Sequence, residues 1–279
     1  MVRRNPETIL VAHKMDPGRR EVYVEGGRDR AFLNWLADDG RPVTATVIPI
    51  DFVDVPEVEE GGNRERLRLF LIGVVSAGYE IRGLIDADQA TLIGEEVPSN
   101  AWITDLRDAE GYVLGEENVD VALRLGCGIE GVSASALLKS TSEVALFLAA
   151  TRLVSYRDQL QLPVSRSRFK GYVRATSGGV LVLDRRGYLR ALLQSADISL
   201  RELNNVDQKI FQTMDEMSVL PIEKVRHGKD CMRLLTIQFR ALGADDVTDV
   251  ASLLWTSFRI ESLSQFPVLQ DIVGFMHGR

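Results

Sequence analysis

The chain has little of what marks a secreted, zinc-binding or membrane protein. Its two cysteines, Cys127 and Cys231, stand far apart with no second thiol at ligand spacing, which argues against a disulfide framework or a zinc knuckle and leaves two thiols expected to be buried. The three histidines, His13, His227 and His277, are isolated and offer no metal-ligand spacing. The longest apolar run, Val144 to Ala150, falls well short of the roughly 20 residues that span a bilayer. No apolar stretch follows Met1-Val2-Arg3-Arg4-Asn5-Pro6, so a cytoplasmic protein without a membrane role is expected. Positive charge is not in excess either: 33 Lys and Arg stand against 40 Asp and Glu, a formal net charge of −7. That balance argues against a general nucleic-acid coat but not against a nuclease, which needs basic surface only locally. No Gly-x-x-x-x-Gly-Lys-Ser/Thr phosphate loop is present, so ATP hydrolysis by this chain alone is not expected.

What is present is an α/β alternation. Glu21 to Val24 is rich in strand formers and runs into Glu25-Gly26-Gly27, after which Ala31, Phe32, Trp35 and Leu36 recur at helical spacing. Val43 to Ile50 reads as a second strand. Gly61-Gly62-Asn63 breaks the chain before a helix carrying Leu67, Phe70, Leu71 and Val74. Ile81 to Ile85 is a third strand, stopping at Asp86-Ala87-Asp88, and Ala101 to Thr104 a fourth. The pattern is β-α-β-α-β, with acidic residues at strand ends. Beyond about Val132 the texture turns helical, interrupted by a hairpin-like stretch through Ser177-Gly178-Gly179 and Val180 to Leu183, with four or five helices after Gly187. Two domains are expected, residues 1–130 and a mostly helical 131–279.

In a parallel α/β sheet, ligands gather beyond the carboxyl ends of the strands, where this pattern puts Glu25, Asp86 and Asp88. Two aspartates one residue apart project to the same side and suit a hard cation, Mg²⁺ or Mn²⁺. Each piece alone also has an ordinary reading: Asp-x-Asp as turn chemistry, Glu-Gly-Gly as a flexible helix entry. The order strand, Glu-Gly, helix, strand, helix, strand, Asp-x-Asp is harder to obtain by accident.

Val24-Glu25-Gly26-Gly27-Arg28-Asp29 and Gly83-Leu84-Ile85-Asp86-Ala87-Asp88 resemble the two acidic motifs of TOPRIM domains. The resemblance is to the overcoming-lysogenization-defect (OLD) type, and within it to the family that includes the PARIS-type antiphage effector subunits. Gly61 to Arg64, Thr104 to Leu114 and His227-Gly228-Lys229-Asp230 also resemble that family, so the likeness runs over roughly residues 18–265. It implies a TOPRIM (Rossmann-like) core and a Mg²⁺- or Mn²⁺-dependent endonuclease acting on DNA or tRNA. It further implies an antiphage effector, controlled by an ATPase partner and working as a homodimer or within a complex. Glu25 would be the metal-binding or acid/base glutamate and Asp86 and Asp88 the principal metal ligands. Asp29, on the same helical face as Glu25, would reach a second metal, its other reading being a first-turn acid beside the helix dipole. Glu110 would be a further second-metal ligand, and Asp105 and Asp108 are alternatives as helix caps.

Between Arg152 and Arg190 nine basic residues face two acidic ones. Arg166, Arg168, Lys170, Arg174, Arg185 and Arg186, interleaved with Tyr156, Phe169, Tyr172 and Tyr188, suit contact with phosphates and stacked bases, or else a solvated face and an exposed hairpin. Lys229 would neutralise charge on the phosphate in the transition state, or simply open a helix. The competing function is a non-catalytic, TOPRIM-like regulatory or assembly subunit. Three clustered carboxylates that repel one another without a cation weigh against it.

Overall fold

The computed structural model describes residues 3–55, 62–88, 96–164 and 169–279, the side chain of Lys170 excepted. In chain order the regular elements are α1 (Pro6–Met15), β1 (Arg20–Val24), α2 (Gly27–Ala37), β2 (Ala45–Pro49), α3 (Gly62–Val75), β3 (Ile81–Ile85) and β4 (Ala101–Ile103). They continue with α4 (Glu116–Val121), α5 (Ala134–Arg157), β5 (Val173–Ala175), β6 (Leu181–Leu183), α6 (Arg185–Ser195) and α7 (Leu203–Met217). The last three are α8 (Gly228–Ala241), α9 (Ala251–Ser257) and α10 (Pro267–Met276).

Two compact units result, residues 1–109 with 259–279, and residues 110–258. The change of texture near residue 130 therefore does not coincide with the division, and the C-terminal helix returns to the first unit. Side-chain and backbone bonds explain that return. Thr44 donates to the Met276 carbonyl through both its N–H (2.8 Å) and its hydroxyl (3.1 Å), and Arg20 Nη1 donates to Phe275 O at 3.0 Å. Asp105 caps α10 by accepting from Val268 N at 3.1 Å, so its capping role concerns the C-terminal helix.

The first unit is built on a four-stranded, wholly parallel sheet in the order β2-β1-β3-β4. β1 is central, and Val22, Tyr23 and Val24 are buried without break, as expected for a strand covered on both faces. Leu67, Phe70, Leu71 and Val74, the helical repeat visible in the sequence, pack α3 against Tyr23, Ile81 and Ile85. The approach is close enough that a Cβ on Gly83 would collide with Leu71, which is why β3 carries a glycine there. α1, which hydrophobic periodicity did not reveal, starts at a Pro in its first turn behind Asn5, whose side chain accepts from Glu7 N at 2.8 Å. The strand order reverses direction at β1, since β2 lies on one side and β3 and β4 on the other, so the crevice at the carboxyl ends of β1 and β3 is the topological switch point of this sheet.

The second unit is organised around α5, a 24-residue helix packed against α7 and α8. The expected hairpin is present as the antiparallel pair β5 and β6. Gln238, fully buried on α8, ties the unit together: its amide donates to Leu137 O at 3.2 Å and Gly179 O at 2.7 Å, and its oxygen accepts from Thr141 Oγ1 at 2.7 Å. All its polar groups are thus used, as a buried amide requires. Among the described residues no helix is long and apolar enough to cross a membrane.

Candidate metal centre at the switch point

β1 ends at Val24 and the chain turns at Glu25. Gly26, in extended conformation, is the N-cap of α2, and its N–H donates to Asp29 Oδ2 at 2.9 Å. Asp29 therefore closes the first turn of α2 from its third position, half of a capping box. The Glu25 carboxylate reaches across to the neighbouring strand end and accepts from Asp86 N at 3.2 Å, while Asn63 Nδ2 at the start of α3 donates to Glu25 O at 2.9 Å. On the β3 side, Asp86 Oδ1 accepts from Ala109 N at 3.0 Å and Ala87 N donates to Thr104 Oγ1 at 2.9 Å. Ala87 is buried while Asp86 and Asp88 each keep part of their surface, so the Asp-x-Asp pair lies on the side away from the core, as its spacing predicts, with the Asp86 carboxyl the more shielded of the two. Asp88 has φ 43, a left-handed conformation that aspartate tolerates better than most residues, and its N–H donates to Arg107 O at 2.6 Å.

The electrostatics of this corner centre on Asp86. Burial, followed by the negative charges of Glu25, Asp108, Asp88 and Asp29, holds its carboxyl well above the ordinary aspartate range. The sequence-predicted Glu25, Asp29, Asp86 and Asp88 are thus brought together electrically. Asp108, read from sequence only as a possible cap, is fully buried and joins them. Arg64 enters as well: its Nε donates to Asp86 O at 3.2 Å and lies 3.6 Å from Asp88 Oδ2. Asn63 and Arg64 belong to the Gly61-to-Arg64 stretch of the sequence resemblance, which assigned them no role of their own. Their signal was the Gly61-Gly62 break that starts α3 beside the acidic strand ends, with Gly61 itself outside the described residues.

Among the described residues no three His, Cys, Asp or Glu side chains are already gathered into a metal cage. The donor set at the switch point is nonetheless of one chemical kind, carboxylate and carbonyl oxygen, which suits Mg²⁺ or Mn²⁺ rather than a softer ion.

Glu110 and Lys229 lie in the second unit and face each other: Glu110 is buried and Lys229 Nζ stands 3.8 Å from its Oε1, with Lys229 in the first turn of α8. One position further, the buried Asp230 pairs with Arg152 Nη1 at 2.6 Å; burial would raise its carboxyl, but Arg152, His227 and Arg233 outweigh that and hold it below the ordinary range.

The basic segment is divided in its roles. Arg166, Arg168 and the Lys170 side chain lie outside the described residues. Arg174 is exposed on β5, and Arg186 donates to Asn204 Oδ1 at 2.9 Å. Arg185 donates to Asp207 Oδ1 at 3.0 Å and stacks over the Phe211 ring at 3.2 Å, with Phe147 4.9 Å away on the same guanidinium. It clamps α6 to α7 by charge and by cation–π contact. Two of the aromatic residues expected to stack bases are core instead: Phe169 and Tyr188 are buried, Tyr188 against Phe147 and Tyr172. For these two, the alternation with basic residues reflects the buried face of an amphipathic hairpin and helix, while Tyr156 is exposed.

No family model and no curated protein matches this chain.

Proposed function

We propose that the chain is a Mg²⁺- or Mn²⁺-dependent endonuclease of the OLD-like TOPRIM type, with Glu25, Asp86 and Asp88 as its principal metal-binding residues. The observation that carries the reading is Asp86: a buried carboxyl beside four other acids, at the switch point of a parallel sheet. Such a cluster opposes folding by self-repulsion, and a divalent cation removes that cost. When bound, the cation would polarise a phosphodiester and lower the proton affinity of a water molecule.

The chain's own residues do the rest. The Glu25–Asp86 N–H bond locks the two strand ends in register, so that their carboxylates meet a substrate as one surface. Asp29 keeps the amino end of α2 beside them, where the helix dipole favours an anionic phosphate. Asp108, buried next to Asp86, adds negative charge that strengthens cation binding. Lys229 and Glu110, which pair with each other within the second unit, keep charge neutralisation and second-metal binding as proposed roles on the motif resemblance alone, and Arg174 and Arg186 remain candidates for holding nucleic acid.

The antiphage effector role, the ATPase partner, the homodimer and a tRNA or DNA target belong to the same proposal and rest on the motif resemblance. Incubating the purified chain with mixed DNA and total RNA, with Mg²⁺, Mn²⁺ or chelator, tests it. Metal-dependent cleavage that disappears in Glu25→Ala and Asp86→Ala supports the reading and identifies the substrate. Cleavage that survives both substitutions overturns the assignment of the site, and silence of the chain even with its partner favours an assembly subunit.

A further inference from the structure

The Arg64 side chain is mostly buried at the start of α3, and its Nε sits between two groups of the acidic corner, donating to the Asp86 carbonyl at 3.2 Å and standing 3.6 Å from Asp88 Oδ2. Two physical roles are open to a guanidinium in that position. As a scaffold, it would hold the Asp86 main chain in place for a metal, and its loss would weaken metal binding. As a counter-ion, it would satisfy negative charge that a metal must otherwise satisfy, and its loss would strengthen metal binding. The two roles predict opposite signs.

The geometry favours the second. Asp86 already has other supports for its position: its N–H is held by Glu25, its Oδ1 by Ala109 N, and the following Ala87 N–H by Thr104. What those supports do not supply is positive charge, and the corner holds Glu25, Asp29, Asp86, Asp88 and Asp108. Arginine cannot shed its charge by deprotonation, so Arg64 offers a permanent cation at an oxygen that the proposed metal would also require.

We infer that Arg64 is a built-in counter-ion of the acidic corner, pairing with Asp88 when the site is metal-free and competing with a divalent cation for it. The inference rests on the metal-site reading above. It gives the site a threshold: a cation binds only by out-competing a charge already present, so the corner is folded and quiet at low metal and loads as the metal concentration rises.

Titration calorimetry of the purified chain with Mn²⁺ tests this without recourse to cleavage. Wild type, Arg64→Gln, Arg64→Lys and Glu25→Ala are compared, and each is melted in chelator to establish that it folds. Arg64→Gln is expected to bind Mn²⁺ about tenfold more tightly than wild type, within the usual range of coupling between two ligands, while melting at a lower temperature in chelator. Arg64→Lys, which keeps the charge, should stay near wild type in both measurements and serves as the readout if Arg64→Gln does not fold: Mn²⁺ binding by the lysine variant much weaker than wild type then overturns the inference. Equal or weaker binding by Arg64→Gln also overturns it and assigns Arg64 to scaffolding. Absence of Mn²⁺ binding in wild type, or binding unchanged in Glu25→Ala, overturns the metal-site reading itself, and the inference falls with it.

Discussion

The two ends of β1 place a glutamate in opposite electrical surroundings. At the amino end, Glu21 is fully buried, yet donors surround its carboxylate: Arg4 at 3.0 Å, Arg19 at 2.6 and 2.8 Å, Tyr23 Oη at 2.6 Å and His13 Nε2 at 3.1 Å. Burial pushes its carboxyl up, but those donors more than reverse it and bring the value down to about 2. The Tyr23 hydroxyl is driven far upward, by burial first and then by the Glu21 charge. At the carboxyl end, four residues later, Glu25 lies among acids and Asp86 is raised. Burial alone does not set a carboxylate's state, since the more buried of these glutamates is the one held low. The distinction lies in the sign of the surroundings: donors make Glu21 a structural anchor, and the acids gathered around Asp86 are the reason a cation site is proposed there.

The contrast breaks most visibly in activity. If the carboxyl end is the working end, Glu25→Ala and Asp86→Ala each lower cleavage on the order of a thousandfold, the scale of losing several kcal/mol of charge stabilisation, whereas Glu21→Gln leaves the rate per folded molecule unchanged. The next effect is on stability and reverses the ranking. Glu21→Ala strips the partner from two arginines, a histidine and a tyrosine and should cost about 3 kcal/mol in urea unfolding, toward the low end for a broken buried pair because Arg4 and Arg19 reach water. Asp86→Asn removes a repelled charge while keeping an oxygen for Ala109 N–H, so in chelator near pH 8 it should stabilise the chain on the order of 1 kcal/mol, read as a rise in melting temperature.

pH separates the ends further. Glu21 has a depressed value in the folded chain, so its stabilisation is present above the ordinary glutamate range and is lost as pH falls toward about 2. Asp86 has a raised value, so its destabilisation is absent below the ordinary aspartate range and grows as pH rises through the raised value. Metal-free unfolding followed from pH 3 to 9 should show wild type losing stability relative to Asp86→Asn on the alkaline side, and losing it relative to Glu21→Gln on the acid side. A last effect concerns Asn63: Asn63→Ala removes both the bond it donates to Glu25 O and the one its oxygen accepts from Arg66 Nη1, and should cost about 2 kcal/mol, the worth of two hydrogen bonds.

Much of the first unit was legible because its signals are local. Strand formers ending in Glu-Gly, a helical repeat after Gly62, and Asp-x-Asp after Ile85 each announce themselves within a few residues, and the sheet brings them to one corner. The rest depends on distant partners. Glu21 reads as the first residue of a strand, and nothing near it reveals that Arg4 and His13 will close over it. Arg64 reads as one of several charged residues on α3, and Asp108 as a cap, because their meaning arises only when β3 and the loop after β4 pack together. The return of α10 to the first unit is likewise invisible in periodicity, since its apolar face is satisfied equally well on paper by any neighbour. Phe169 and Tyr188 show the converse hazard, in which composition suggested a surface platform and packing made a core.

The most direct test of the account is a pair of melting curves near pH 8, wild type and Asp86→Asn, each in chelator and in Mn²⁺. The account predicts that the variant melts higher than wild type in chelator, and that Mn²⁺ raises wild type markedly and the variant little. Coincident melting in chelator, together with no response of wild type to Mn²⁺, would contradict it and leave the acidic corner without a cation to serve.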